Sequence, residues 1–231
     1  MVKTEYLMKK RLLRDEVKDF LVENILTMKI KTGEIIFESN IAKELGISQS
    51  PVREAIRDLV SIGVLEHRPF KGTIVTELTV DVLIKGYEVR IALEQLAIDT
   101  AWGNLSEQDL EQMQHLVDEM YEAAKQKNLR RQADFDYEFH YALVRSTNNK
   151  LLMRAWESLG VRFLTLIGLY EGDAGKIFDF EQQARRHLDI IAALKSGQRE
   201  RAAMIMADHF REAKNAILAA RKTEIDGSAR S

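Results

Sequence analysis

Along most of the chain, apolar positions recur at the three- and four-residue spacing of an amphipathic helix. They alternate at spacing two in only one short stretch. Leu13, Val17, Phe20, Leu21, Ile25 and Met28 form the first helical stripe and predict a helix over residues 12–28, ending before Gly33. A short second helix is expected over 39–45, with Ser39 as a candidate N-cap and Gly46 as a stop. A third is expected over 50–62, with Pro51 in its first turn and Gly63 as terminator. The alternating stretch lies within 63–78. Val64, Leu65 and His67 approach a turn at Arg68-Pro69-Phe70-Lys71-Gly72, and residues 73–76 leave it, so the pattern predicts a two-stranded hairpin.

Helical spacing then resumes. Thr79 is placed to cap a long helix to about Trp102, which Gly103-Asn104 breaks. Ser106-Glu107-Gln108-Asp109 has the form of a capping box for a helix to about Gln126. Further helices are expected over 130–146, 149–170, 177–195 and 198–222, the last three separated by Gly172-Asp173-Ala174-Gly175 and Ser196-Gly197. From Thr223 the chain is polar and without periodicity, which predicts a disordered tail over 223–231. The expected class is mainly α. A front domain over 1–76 has three helices and a two-stranded wing, and an all-helical domain follows over 79–222.

Composition narrows the chemistry. With no cysteine, the chain has no disulfide framework, no thiolate nucleophile and no cysteine-ligated zinc, so a metal would need histidine and carboxylate. No apolar run approaches the ~18 residues of a membrane span, and the start of the chain has no apolar leader segment. No membrane partner is therefore expected, and the expected location is cytoplasmic. The net charge of −2 gives no sign of a nucleic-acid partner until the chain is divided. Residues 1–75 hold 13 Lys+Arg against 11 Asp+Glu, whereas the rest hold 21 against 25. A mildly basic front thus precedes an acidic back, a weak pointer to an anionic partner at the front.

Three helices and a hairpin, in that order, are the plan of a winged helix-turn-helix, whose third helix would enter a DNA major groove. Ser48, Gln49 and Ser50 would open that helix, where backbone N–H groups and the helix dipole favour phosphate. Gln49 has the donor–acceptor pair that reads adenine, and Arg53 suits guanine or phosphate. Lys71 and Gly72 at the wing tip would bring charge and backbone close to DNA. The plain alternative is that SQSPVREA is only a capped amphipathic helix start.

In the back domain, Asp136 and His140 are four residues apart and so share a helix face. His187 and His209 lie on the last two helices, on either side of Ser196-Gly197. If those helices form an antiparallel hairpin, the two imidazoles lie at similar depth. Three imidazoles and a carboxylate suit a borderline divalent ion, zinc foremost, with nickel, manganese or iron as alternatives. The plain alternative is four unrelated side chains, since a helical histidine is more often a surface or core residue. Arg90 and Glu94 share a stripe with Tyr87, Ile91, Ala97 and Ala101, and form either an i,i+4 ion pair near the surface or part of a pocket. Arg145 and Asn149 are weaker pocket candidates, with Asn149 also suited to a helix end. His67 and His115 are expected at the surface, and Trp102 and Trp156 in the core.

The stretch ESNIAKELGISQSPVREAIRDLVSIGVLEHRPFKGTIV resembles the DNA-binding domain of the GntR family of bacterial transcription regulators. The SxxPVREA core, the following G[VL]L and the closing G-T-x-V carry the likeness. It implies that Ser48, Arg53, Lys71 and Gly72 contact operator DNA. Ser39 and Gln49 stand where many members have arginine, which implies a different operator and weaker phosphate attraction. The order YEVRIALEQLA, DYEFH, RRHLDIIAAL, DHF is similar to the FCD ligand-binding domain of the FadR subfamily. The likeness implies a metal on Asp136, His140, His187 and His209, and an effector carboxylate on Arg90. The expected protein is a homodimeric repressor that binds a double-stranded operator and responds to a small organic acid or sugar acid. A metal-dependent hydrolase, and a regulator with a structural or metal-sensing site, remain as alternatives.

Overall fold

α1 (Val2–Leu26) begins well before Leu12, where its apolar stripe starts, because residues 3–11 contain neither glycine nor proline and are mostly good helix formers. It packs on α3 (Gln49–Ser61), burying Val17, Leu21 and Ile25 against a face that includes Val52, Ala55, Ile56 and Leu59. Between them, α2 (Glu38–Leu45) starts one residue before the expected Ser39 cap. Phe37 occupies the N-cap position in extended conformation with no side-chain cap bond, and Glu38 places its charge in the first turn. Gly46 ends α2 at φ 66°, a left-handed conformation that glycine adopts without strain, and Ile47 N–H closes back on the Ala42 carbonyl at 3.0 Å.

The wing has one strand more than the alternation predicts. β2 (Leu65–Arg68) and β3 (Gly72–Val75) pair antiparallel from Leu65↔Val75 to Arg68↔Gly72. β1 (Ile35–Ile36) adds to the free edge of β3 through Ile35↔Ile74 and Ile36↔Thr73, giving the order β1-β3-β2. Two residues are too few for alternation to register, so this strand is decided by its partner. The chain described here is a computed structural model covering residues 2–27, 29–76, 80–161 and 179–228, and it divides into two units, Met1–Leu78 and Thr79–Ser231.

The second unit is helical throughout its described residues: α4 (Val80–Ala101), α5 (Glu107–Lys125), α6 (Leu129–Ser146), α7 (Lys150–Ser158), α8 (Phe180–Lys195) and α9 (Arg199–Ser228). α5 packs on α6 and α8, and α9 packs on α4 and α8. Their shared core includes Ile98, Met113, Phe139, Leu143, Trp156, Ile190 and Phe210. Ala219, Ala220, Arg221, Lys222 and Glu224 favour helix, and α9 continues through Ser228 where an irregular tail is expected. The candidate cap Thr79, the Gly172–Gly175 break and the expected helix beyond Val161 lie outside the described residues. No helix among the described residues is long and apolar enough to cross a membrane.

α5 shows most directly how local sequence sets an element in this unit. Ser106 Oγ accepts from Asp109 N–H at 3.1 Å, and the Asp109 carboxylate accepts from Ser106 N–H at 3.0 Å and from its hydroxyl at 2.7 Å. Both tryptophans, Trp102 and Trp156, belong to this unit, so their fluorescence reports its unfolding alone. Ser106→Ala is expected to lower the stability of the second unit by about 1 kcal/mol, read as a lower urea midpoint of tryptophan fluorescence. An unchanged midpoint would show that the cap contributes nothing.

Candidate functional site

Four ligand atoms converge in the interior of the second unit. Asp136 and His140 come from one face of α6, His187 from α8 and His209 from α9, with ligand atoms all within 4.8 Å of one another. The Asp136 Oδ1 atom lies 3.6 Å from His140 Nε2, 3.3 Å from His187 Nε2 and 3.9 Å from His209 Nε2. All three imidazoles are buried, while Asp136 retains 13% exposure and so gives the cluster a solvent-facing edge. The packing of α8 against α9 supplies the two histidines that the sequence separates by a turn. His67 and His115 are both exposed and stand apart from this cluster.

The hydrogen bonds around the rings decide which nitrogens face inward. His140 Nδ1 donates to Glu94 Oε2 at 2.5 Å, and His187 Nδ1 donates to the Gln183 carbonyl at 3.0 Å. Neither a carboxylate nor a carbonyl can donate, so each Nδ1 carries the proton. The two Nε2 atoms then face each other at 3.2 Å. Two bare lone pairs at that distance repel, so the arrangement calls for a proton or a cation between them. A proton on His140 meets the demand in the metal-free chain. A divalent ion meets it too, with Asp136 and His209 as further donors, so the residues fit such an ion.

Glu94 on α4 is the residue whose role sequence reasoning missed. Its carboxylate accepts from Arg90 Nε at 2.7 Å, Trp156 Nε1 at 2.9 Å and His140 Nδ1. Arg90 and Glu94 are 1% and 0% exposed, so the pair lies in the core and not near the surface. Arg90 also stacks on Phe210, 4.3 Å from the ring centroid, and its Nη2 lies 3.5 Å from Asp136 Oδ2. Their shared stripe with Tyr87 marked both as core-facing. Nothing in the sequence indicated that Glu94 would orient His140, because 46 residues separate them.

The charges follow from these contacts. Burial would raise the Glu94 carboxyl, but the His140 and Arg90 charges and their hydrogen bonds outweigh it and hold the group at about 2. Burial opposes the charged form of Asp136 too, yet the His140 charge, its close contacts with the His140 and His187 rings, and the Arg90 charge keep its carboxyl well below the usual range. Burial lowers His140, and the facing carboxylates of Glu94 and Asp136 more than restore it, so its pKa is raised. Burial, with the His187 and His140 charges beside it, holds His209 well below the ordinary histidine value. The His209 Nδ1 atom has no hydrogen-bond partner among the described residues.

Two other pocket candidates lie elsewhere. Asn149 caps α7, accepting from Leu151 N–H and Leu152 N–H at 3.1 Å each, so it begins a helix and does not end one. Arg145 is exposed and reaches Gln112 Oε1 at 3.3 Å. Together they line an open surface cavity of about 360 Å³ with Lys150, Met153, Arg154 and Glu157, and none of the four convergent ligands lines it.

In the first unit, Ser48 occupies the N-cap position of α3 without a side-chain cap bond, and Ser48, Gln49 and Ser50 are all exposed. Arg53, one turn further on, is exposed but held by Glu38 of α2. Its Nε and Nη2 each lie 2.9 Å from Glu38 Oε2. That partner raises the arginine pKa and gives the guanidinium a fixed starting direction. Lys71 is exposed at the wing turn, and Gly72 has φ 89° where β3 begins.

Comparison with known proteins gives matches to both units. Residues 13–75 match "Bacterial regulatory proteins, gntR family", and residues 85–212 match "FCD domain". The chain is 33% identical to a probable D-xylose utilization operon transcriptional repressor of Paenarthrobacter nicotinovorans, over 87% of this chain and 88% of that one. It is 25% identical to the gluconate operon transcriptional repressor of Bacillus licheniformis, over 76% of this chain and 73% of that one. The solved structure of Escherichia coli McbR/YncC is similar to it with TM-score 0.74 and 26% identity, covering 90% of this chain and 97% of that one.

Glu94→Gln removes the charge that balances Arg90 and orients His140. Breaking a buried pair on one side costs about 3–5 kcal/mol, so a large loss of stability in the second unit is expected by tryptophan fluorescence. The wild-type pH profile has a definite sign. A carboxyl lowered from 4.5 to about 2 contributes stability that is complete above pH 4.5 and lost as pH falls toward about 2. The same measurement on Glu94→Gln should lack the Glu94 part of that acid loss. A variant as stable as wild type with the same acid profile would contradict the network.

Proposed function

The chain belongs to the gntR family of bacterial regulatory proteins and carries an FCD domain, and we propose that it is a repressor whose operator affinity is set by an acid effector at a metal-containing pocket. Its families and relatives are transcription regulators, so its work is regulation and not catalysis. The single observation that carries the pocket reading is the convergence of Asp136, His140, His187 and His209 beside a buried arginine.

In this reading the exposed start of α3 enters the major groove. Ser48, Gln49 and Ser50 meet bases and phosphates there, Arg53 exchanges Glu38 for the DNA, and Lys71 and Gly72 approach the backbone from the wing. The four convergent residues hold a divalent transition metal, zinc foremost, which when bound supplies an electrophilic position for an effector oxygen. Glu94 and the Gln183 carbonyl keep His140 and His187 in the tautomer that turns Nε2 inward. Arg90 places a fixed positive charge beside Asp136, at the edge where an effector carboxylate would enter. Two relatives, a probable D-xylose utilization operon repressor and a gluconate operon repressor, favour a sugar or sugar acid as the effector class. Such an effector shifts the operator equilibrium only by its difference in affinity between the DNA-competent and DNA-free arrangements.

A homodimer suits this reading, because a two-fold pair of recognition helices meets a pseudo-palindromic operator. α4 offers a surface for it. Val82, Val89 and Leu96, seven residues apart, are 42%, 46% and 49% exposed along one face. The proposed location is the bacterial cytoplasm.

The direct test uses the full-length chain and a duplex that it selects from a random pool. With zinc bound, gluconate or a related sugar acid is expected to release that duplex. His187→Ala should bind the duplex as wild type does but hold less zinc and release DNA at least tenfold less readily. Release unaffected by His187→Ala would remove the metal pocket from the mechanism. In sedimentation, wild type is expected as a dimer and Val89→Asp as a monomer with unchanged metal content, whereas a dimeric Val89→Asp would exclude the α4 face.

A further inference from the structure

The wing turn holds a residue that neither the fold nor the contacts proposed above require. Lys71 N–H closes on the Arg68 carbonyl at 3.1 Å, which makes Arg68-Pro69-Phe70-Lys71 a β-turn with proline at its second position. Phe70 occupies the third position at φ 65°, where a positive φ marks type II geometry and favours glycine or asparagine. A bulky side chain is strained in that conformation. Phe70 is also 109% exposed, so among the described residues nothing shields its ring from water. Glycine would remove both penalties at once and leave the turn intact.

The surroundings of the ring indicate what would cover it. It lies at the middle of the loop, between exposed Arg68 and Lys71, with exposed His67 at the end of β2. The Arg68 guanidinium is shared with Glu66 at 2.5 Å. The Lys71 charge is exposed beside the ring and suited to phosphate. An apolar group with cations beside it in the sequence, at the turn of a hairpin, has the form of the wedges that proteins insert between base steps from the minor groove.

We propose that Phe70 is such a wedge: it enters the minor groove beneath the wing and unstacks one base step of the bound duplex. The proposal rests on the DNA-binding reading above and adds a deformation to it. The exposure of the ring in the free chain is relieved when bases cover it, and that contact offsets the backbone strain of the turn. The bound sequence is then selected in part for a flexible pyrimidine–purine step at a position that no hydrogen bond reads.

The experiment uses the full-length protein and a duplex selected by wild type from a random pool, with 2-aminopurine placed in turn at each step flanking the recognition-helix contacts. Wild type is expected to raise the fluorescence of one step on binding. Phe70→Gly should lose that rise and bind at least tenfold more weakly, with a melting temperature equal to or above wild type, because the turn prefers glycine. Phe70→Leu should keep most of both effects. A wild-type complex without a fluorescence rise at any step, or a Phe70→Gly protein with wild-type affinity and signal, would overturn the wedge while leaving the regulator reading intact. Failure of wild type to select any duplex would overturn both.

Discussion

A buried carboxylate at Glu94 is the constraint around which the second unit is organised. An ionised acid with no exposure is tolerated only when every lone pair is engaged and its charge is balanced. Here the engagement comes from three elements: Arg90 on the same helix, His140 on α6 and Trp156 on α7. Losing any one of these partners leaves a desolvated charge short of a hydrogen bond, so the three helices are held in a specific register as well as packed. Apolar packing alone would tolerate small sliding; this network does not.

The same carboxylate prepares the convergent cluster. By accepting the Nδ1 proton of His140 it turns the Nε2 lone pair toward His187, and the Gln183 carbonyl does the same for His187. The interior thus gathers electron-rich nitrogen and the Asp136 oxygen at one point, where a proton or a cation is needed. Arg90 lies beside Asp136, balanced by Glu94 and Asp136 and stacked on Phe210. α4 carries both Arg90 and Glu94, and it begins four residues after the last described residue of the wing unit.

The first unit follows a different logic. Its core is aliphatic, and exposed polar residues stand, among other places, at the opening of α3 and the tip of the wing. Arg53 shows how such a surface is kept ordered without being buried: Glu38 holds it in position by an exposed ion pair of small net strength. Phe70 is the exception, since it combines exposure with a strained backbone instead of avoiding both.

The sequence by itself determined the mainly helical class and the order of the first three helices and the hairpin that follows them. Helical periodicity, glycine stops and the capping box at Ser106 are local signals, and Asp136 and His140 share a face by spacing alone. The likeness to known families then placed His187 and His209 in the same site. Tertiary structure decided what depends on partners distant in the chain. β1 exists because β3 accepts it, and Glu94 is in the core because α6 and α7 close over it. Arg145, in the last turn of α6, and Asn149, the N-cap of α7, line a surface cavity that none of the four convergent residues lines. A one-dimensional pattern shows which face of a helix is buried, but the partner of a buried charge is set only when the helices meet.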